Sequence, residues 1–283
     1  MSKIKIVVDS TVDLSKELYE KYDMEIIPLN VSFGEKTFKD GVDITRDQLY
    51  EDVKKYKMLP STSAPGPQVF EEVFKKWLDK GYEVIYMGIG STLSTSLQSA
   101  NIAKNNLGSD KVHLVDTKNL SSASGLLAMK AAKLANEGKE AAEICKIIEK
   151  DVPNTVAQFT VETLDYLHKG GRCSGTAKVI GHLFHVHPHL LVRDGKLIVY
   201  KKPRGTMKVA IDGQIEELKK ALPNVQMDNI MITDSGATDE IRNYFVKEVS
   251  KLVDPKIIRT TPAGCVIASH CGFGTIGLLF IKD

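Results

Sequence analysis

The sequence predicts an α/β protein with a parallel sheet in its first half and a mixed sheet in its second half. Up to about Asp151, short β-branched runs alternate with helix-periodic segments, as in strands joined by right-handed crossovers. Further along, Asp194-Gly195 separates two apolar runs and predicts an antiparallel hairpin. The length of 283 residues corresponds to about two domains at roughly 150 residues each. We therefore expect one domain at residues 1–151 and a second at residues 152–283.

The elements of the first half follow from apolar spacing and from the residues that begin or end helices. Thr45 and Gln48 form a capping box at a helix start. Pro67 begins a strongly amphipathic helix that Gly81 stops, and its aromatic stripe is typical of core packing. Gly108 closes the next helix. The predicted strands are residues 4–8, 26–33, 84–89 and 112–115, and the main predicted helices are 14–22, 67–78, 97–107 and 124–137.

The second half has a different order of elements, because the hairpin interrupts the alternation of strands and helices. A strand at residues 155–161 and a short helix come first, and a glycine-rich stretch at 168–172 follows them. The hairpin covers residues 190–200. Helices are predicted at 207–222 and 239–252, and strands at 230–233, 257–260 and 276–281. We interpret residues 268–274 as an extended segment.

Composition and charge exclude several classes of protein. Thirty-eight Lys and Arg against 36 Asp and Glu leave a formal charge of +2, too small for general attraction to nucleic acid or anionic membrane. The apolar run at residues 278–281 is far shorter than the roughly 18 residues of a spanning helix. The first apolar run ends at Asp9, too early for a signal peptide. Four scattered cysteines without a C-x-x-C pair predict reduced thiols and a cytoplasmic location.

The strongest local signal is the stretch of glycine and hydroxyl residues at 88–96, which follows a strand and precedes a helix. Backbone N–H groups at such a junction suit an anion. Gly88-x-Gly90 followed by Asp116 permits a dinucleotide interpretation, but Leu93 stands where the third glycine of that fingerprint belongs. The hydroxyls could also simply cap the helix. An enzyme that binds a phosphorylated or dinucleotide ligand here therefore stays open as an alternative.

A second hydroxyl cluster at residues 61–67 also precedes a helix, where Thr62 or Ser63 could cap the helix or contact a ligand.

Toward the C-terminus, His270 and Cys271 are neighbours in the presumed extended segment. Their side chains would point to opposite faces, so they would not form a nucleophile–base pair. Because glycines follow closely, His270 is expected near an open surface, although a lone histidine is more often structural than functional.

Four of the seven histidines fall within residues 182–189 and raise the possibility of a metal site. In a strand, His185, His187 and His189 would share a face, but their ends would lie about 13 Å apart at ~3.3 Å per residue. One ion at ~2 Å from each nitrogen cannot bridge that distance, although two histidines could chelate one ion.

No Walker A sequence, G-x-S-x-G elbow, H-E-x-x-H motif or EF-hand loop is present.

Short motifs follow one another in a fixed order along almost the whole chain. They are Asp9-Ser10-Thr11-x-Asp13-Leu14, Ile27-Pro28-Leu29, Asp40-Gly41-Val42-Asp43-Ile44, Thr62-Ser63-x-Pro65, Leu93-Ser94, Val115-Asp116-Thr117, Leu167-x-Lys169-Gly170-Gly171-Arg172, Lys202-x-Arg204 and His270-x-Gly272-x-Gly274-x-x-Gly277. No single motif is specific, but their order resembles that of the DegV family of fatty-acid-binding proteins. The resemblance implies an N-terminal α/β/α domain on a parallel sheet and a two-layer α/β domain on a mixed sheet, with the ligand pocket between them.

The resemblance also implies a function without catalysis. Such a protein is a carrier that holds one long-chain fatty acid of the palmitate, stearate or oleate type. It presents the carboxylate to a separate ATP-dependent kinase subunit, which makes an acyl phosphate for phospholipid synthesis. No cofactor, resident metal, nucleic acid or membrane span is implied, and we expect a monomer.

Individual residue roles follow from the same resemblance. Thr62 and Ser94 would bind the carboxylate, and His270 would stand beside it. Ser63, Thr95, Arg172 and Arg204 would contact the head group or the partner, with both arginines near the pocket mouth.

Two segments depart from the family pattern. Thr95 replaces the glycine of the family's S-G-T, and His182 and His187 stand where the family usually has an asparagine and a lysine.

Overall fold

The computed structural model describes residues 3–173 and 185–283, and it confirms the α/β fold with one parallel and one mixed sheet. Within these residues the first half contains strands β1 to β7, at Lys3–Asp9, Glu25–Ile27, Asn30–Phe33, Lys36–Lys39, Ser61–Ser63, Tyr82–Met87 and Val112–Val115. Its helices α1 to α6 are Lys16–Lys21, Arg46–Tyr56, Pro67–Leu78, Ser96–Leu107, Ser121–Asn136 and Ala141–Asp151.

The second half supplies strands β8 to β13, at Thr155–Thr160, His189–Arg193, Lys196–Lys201, Ile230–Ser235, Ile258–Pro262 and Thr275–Ile281. Its helices α7 to α10 are Asp165–Gly170, Met207–Ala221, Asp239–Val249 and Cys265–Cys271. The parallel sheet has the order β2-β1-β6-β7, and the mixed sheet has the order β10-β9-β8-β13-β11-β12. Pairing of β9 with β10 confirms the predicted hairpin.

The prediction of one strand at residues 26–33 is wrong, because two strands of different sheets occupy this stretch. Pro28 has no N–H to continue a ladder, so β2 ends at Ile27. After Pro28 the chain enters β3, which pairs antiparallel with β4 and β5 in a separate three-stranded sheet. This small sheet, which sequence patterns did not predict, carries Thr62 on β5.

The interpretation of residues 268–274 as extended is also wrong, because residues up to Cys271 belong to helix α10. The helix is buried along almost its whole length, so its sequence shows no amphipathic period.

By contrast, the residues expected to begin and end helices do so in the structure. Thr45 Oγ1 accepts a hydrogen bond from Gln48 N–H at 3.3 Å, and Gly108 ends α4 in the left-handed conformation.

Helix α5 lies between the parallel and the mixed sheet and connects their cores. It contacts β1 on one side and β11 and β13 on the other. One apolar cluster therefore includes Ile6 of β1, Leu127 of α5 and Leu279 of β13.

The division into domains 1–151 and 152–283 stays a prediction. No helix in the described ranges combines the length and apolarity that a bilayer span requires.

Candidate functional site

A cavity of about 440 Å³ lies where β5, the loop before α4, the end of α7 and helix α10 meet. Its size falls within the roughly 300–1,000 Å³ range of small-molecule sites. Six of the seven residues singled out from the sequence line it: Thr62, Ser63, Ser94, Thr95, Arg172 and His270. The structure thus brings together residues that lie up to 208 positions apart in the chain.

The seventh residue, Arg204, is exposed and does not line this cavity. It lies in the connection between β10 and α8, where its backbone forms an isolated antiparallel bridge with Val186. Its assignment to the pocket mouth stays a prediction.

Polar and apolar side chains both line the cavity, and we call the part around Thr62, His270 and Arg172, which lie close together, its polar end. Hydroxyl groups of Ser91 and Thr92 also line the cavity. The apolar wall includes Leu29, Ile89, Leu93, Leu167, Leu197 and Val266. Part of it belongs to an apolar cluster that includes Phe159 of β8 and Leu190 of β9. An amphipathic ligand with a small polar head would match both parts of this surface.

His270 is held against Thr62 and its ring is enclosed. Its Nε2 lies 2.8 Å from Thr62 Oγ1, within hydrogen-bonding distance. A Cβ at position 170 would collide with Nδ1 of His270, so Gly170 is required by the close approach of the ring. Burial, and to a lesser extent the charge of Arg172, lowers the pKa of His270 to about 4. The imidazole is therefore neutral at pH 7.

Helix α10 is fixed by two buried carboxylates whose role the sequence did not reveal. Gly264 N–H donates to Asp13 Oδ1 at 2.8 Å, and Cys265 N–H donates to Asp40 Oδ1 at 2.7 Å. These bonds satisfy backbone donors at the helix start. Burial raises the pKa of both carboxyl groups. Asp13 and Asp40 thereby position the helix that carries His270, and two motifs quoted above contain them.

Arg172 supplies positive charge at the polar end. Its Nη1 donates to the carbonyl of Gly170 at 2.6 Å, which directs the guanidinium from the end of α7 along the cavity wall. The residue is exposed, so a ligand could approach it from solvent.

The loop at residues 88–96 uses its glycines and amides for internal packing. A Cβ at Gly88 would collide with the carboxylate of Asp9, and one at Gly90 would lie 2.8 Å from the backbone of Lys118. Ile89 N–H donates to Asp9 and Gly90 N–H donates to the carbonyl of Asn119. These amides are therefore not available to a phosphate.

Asp116, the acidic residue of the dinucleotide interpretation, is likewise occupied. It accepts hydrogen bonds from Ser91 N–H at 3.0 Å and from Ser91 Oγ at 2.6 Å. A ribose would have to displace both bonds. The geometry therefore does not favour a dinucleotide at this turn.

Ser94 and Thr95 begin helix α4 in different ways. Ser94 Oγ accepts a hydrogen bond from Ser96 N–H at 3.2 Å and lies 2.9 Å from Ser96 Oγ. Ser94 therefore helps to cap the helix while its hydroxyl also lines the cavity. Thr95 is exposed, and its side chain makes no capping bond.

The structure describes His185, His187 and His189 of the histidine-rich stretch considered above as a metal site. His182 lies outside the described residues. β9 begins only at His189, whose Nε2 lies 3.1 Å from Gln158 Oε1, while His187 Nδ1 lies 3.1 Å from a carboxylate oxygen of Glu162. His185 has a φ of +55°. Within residues 3–173 and 185–283, no group of three or more His, Cys, Asp and Glu side chains is arranged to hold a metal ion.

Known proteins resemble this chain over almost its whole length. The model of a family described as uncharacterised proteins of the DegV family matches residues 3–283. A DegV domain-containing protein of Clostridium acetobutylicum is 34% identical over 290 residues, covering 100% of this chain and 99% of its own. One of Clostridium perfringens is 33% identical over 286 residues and covers 100% of both chains.

Two solved structures show the same fold over their whole length. A DegV family protein of Thermus thermophilus, described as fatty-acid binding, has a TM-score of 0.90 and 27% identity, covering 99% of this chain and 100% of its own. A stearic acid-binding protein of Eubacterium ventriosum has a TM-score of 0.86 and 29% identity, covering 100% of this chain and 98% of its own.

Proposed function

This chain belongs to the DegV family, and we propose that it binds one long-chain fatty acid in the cavity and presents the carboxylate to a separate kinase subunit. The observation that carries the proposal is that one cavity is lined both by hydroxyl, imidazole and guanidinium groups and by apolar side chains. The fatty-acid and stearic acid binding of structural neighbours with the same fold supports it.

The polar end suits a carboxylate. Thr62 and Ser94 offer hydroxyl donors, and neutral His270 either donates to Thr62 or accepts from it. Because both hydroxyls are half-buried, each hydrogen bond is expected to contribute about 0.5–1.5 kcal/mol net. Arg172 adds positive charge without burying a second full charge, because it is exposed. We place Ser63 and Thr95 at the rim of the head-group site.

The apolar wall suits the acyl tail. Each buried methylene contributes roughly 0.8 kcal/mol, so a tail of palmitate, stearate or oleate type provides most of the gross affinity. Enclosure of the tail also accounts for a carrier with a formal charge of only +2 and no general attraction for membranes.

The chemistry belongs to the partner in this proposal, and the chain is a carrier without its own catalysis. Cys271, the cysteine that lines the cavity, is buried, and burial raises its pKa to about 12, so it is not a nucleophile at pH 7. In the reaction with the kinase subunit, a carboxylate oxygen attacks the γ-phosphorus of ATP and the bond to ADP breaks. The acyl phosphate then enters phospholipid synthesis.

Arg204 is exposed and does not line the cavity, and we propose that it contacts the kinase subunit.

The bound ligand tests this proposal directly. Purified protein is denatured and its released small molecules are identified by mass spectrometry. We expect one fatty acid per chain, or saturable binding of palmitate, stearate or oleate after delipidation. A released nucleotide, or a delipidated protein that binds none of these acids, would contradict the proposal.

A further inference from the structure

A chain of hydrogen-bonded side chains leads from the cavity to the carboxylate of Asp9. Ser94 lines the cavity, and its Oγ lies 2.9 Å from Oγ of Ser96. The side chain of Ser96 also forms a hydrogen bond with the phenol of Tyr86. Tyr86 Oη in turn donates to Asp9 Oδ2 at 3.0 Å. Beyond Ser94, all members of this chain are buried.

The donors around Asp9 fix the direction of the bond from Tyr86. The carboxylate accepts from the N–H and the hydroxyl of Thr11, from Ile89 N–H and from Tyr86 Oη. Four donors fill the roughly four acceptor positions of an ionised carboxylate. Burial raises the pKa of Asp9, and the same four hydrogen bonds lower it in part. The hydrogen of the Tyr86 hydroxyl is therefore committed to Asp9.

This direction is passed on to the cavity. Because Tyr86 has no second hydrogen, Ser96 donates in the bond between the two residues. The hydroxyl of Ser96 then has no hydrogen left for Ser94, so Ser94 donates to Ser96. Ser94 Oγ also accepts from Ser96 N–H at 3.2 Å. In this arrangement the hydroxyl hydrogen of Ser94 points toward Ser96, and an oxygen lone pair is left for the cavity.

An ionised carboxylate needs the opposite arrangement, because it only accepts hydrogen bonds. Ser94 must turn its hydrogen toward the bound acid, and Ser96 must then donate to Ser94 instead of Tyr86. The bond between the two serines is kept with its direction reversed. The bond from Ser96 to Tyr86 is lost, so the reversal costs one buried hydrogen bond between neutral groups.

We propose that Ser96 and Tyr86 are positioning residues that hold the hydroxyl of Ser94 away from the bound acid and thereby weaken acid binding. This inference rests on the proposed function and deepens it by naming the residues that regulate the head-group site. The cost of one neutral hydrogen bond corresponds to a Kd about 2- to 12-fold higher than Ser94 would give without them.

The test measures Kd for palmitate on delipidated protein by isothermal titration. Tyr86→Phe removes the competing acceptor and keeps the ring that packs against Phe70 at 5.3 Å between centroids. Ser96→Ala removes the hydroxyl between Tyr86 and Ser94, and it provides a second variant should Tyr86→Phe fail to fold. Each change is expected to lower Kd about 2- to 12-fold. Ser99→Ala is the matched control, because Ser99 lies on the same helix but does not line the cavity.

The same changes in a Ser94→Ala background separate positioning from general damage. There Tyr86→Phe and Ser96→Ala are expected to leave Kd unchanged, because no hydroxyl remains to be oriented. Tighter binding that disappears in this background, with an unchanged Kd in Ser99→Ala, supports the proposal. An unchanged or higher Kd in every folded variant, or the same decrease in the Ser94→Ala background, overturns it and leaves fatty-acid binding intact. A wild-type protein that binds no palmitate, stearate or oleate overturns both the inference and the proposed function.

Discussion

Removing the two hydroxyls assigned to the carboxylate tests the head-group site most directly. In the double variant Thr62→Ala/Ser94→Ala, the cavity keeps its apolar wall but loses two donors. Thr62 lies 2.8 Å from His270, so the variant also leaves Nε2 of the buried imidazole without that partner. The tail contacts are unchanged, and the loss of affinity reports the carboxylate contacts.

The expected loss is about 1–3 kcal/mol, because two half-buried hydroxyl donors are removed, at about 0.5–1.5 kcal/mol each. That corresponds to a Kd about 5- to 150-fold higher. Isothermal titration of delipidated protein with palmitate measures it. The control is Ser32→Ala/Thr37→Ala, which removes an exposed hydroxyl pair, 2.8 Å apart, from the same three-stranded sheet.

Two outcomes would refute the placement of the carboxylate. An unchanged Kd in the Thr62→Ala/Ser94→Ala variant would mean that the head group binds elsewhere. An equal loss in the Ser32→Ala/Thr37→Ala control would mean that the small sheet, and not the cavity, is responsible. Circular dichroism and the unfolding midpoint establish that both variants are folded.

Three further changes test the surroundings of this site. Because the folded-state pKa of His270 is about 4, below its ordinary 6.5, the unfolded chain binds more protons between these values, and stability falls as pH drops from 6.5 to 4. In the His270→Gln variant, the free energy of unfolding in urea should fall by up to about 3 kcal/mol less between pH 6.5 and 4. An unchanged dependence of this free energy on pH would contradict the low pKa of His270. Gly170→Ala should displace the His270 ring and weaken palmitate binding, unlike Lys169→Ala at the exposed neighbouring position. Arg204→Ala should preserve binding but slow phosphorylation of the acid by the kinase subunit, and equal loss of both would place Arg204 in the pocket.

Much of the fold was predictable because its signals are local. Gly108 ends a helix through its own backbone conformation, and Asp194-Gly195 forms a hairpin turn through the positive φ of both residues. Such signals depend on neighbours in the chain, so they survive in any tertiary context. Prediction failed where burial erased the periodic pattern, as in helix α10, and where Pro28 divided one apolar run between two sheets.

The sequence by itself determined the α/β alternation, the mixed second sheet and the identity of six residues that line one cavity. It did so through local patterns and through motifs in a fixed order. Only the tertiary structure decided that Thr62 meets His270, that Asp13 and Asp40 hold helix α10, and that the glycines at 88 and 90 serve packing. These contacts join segments far apart in the chain, and their distances depend on how the sheets and helices pack together.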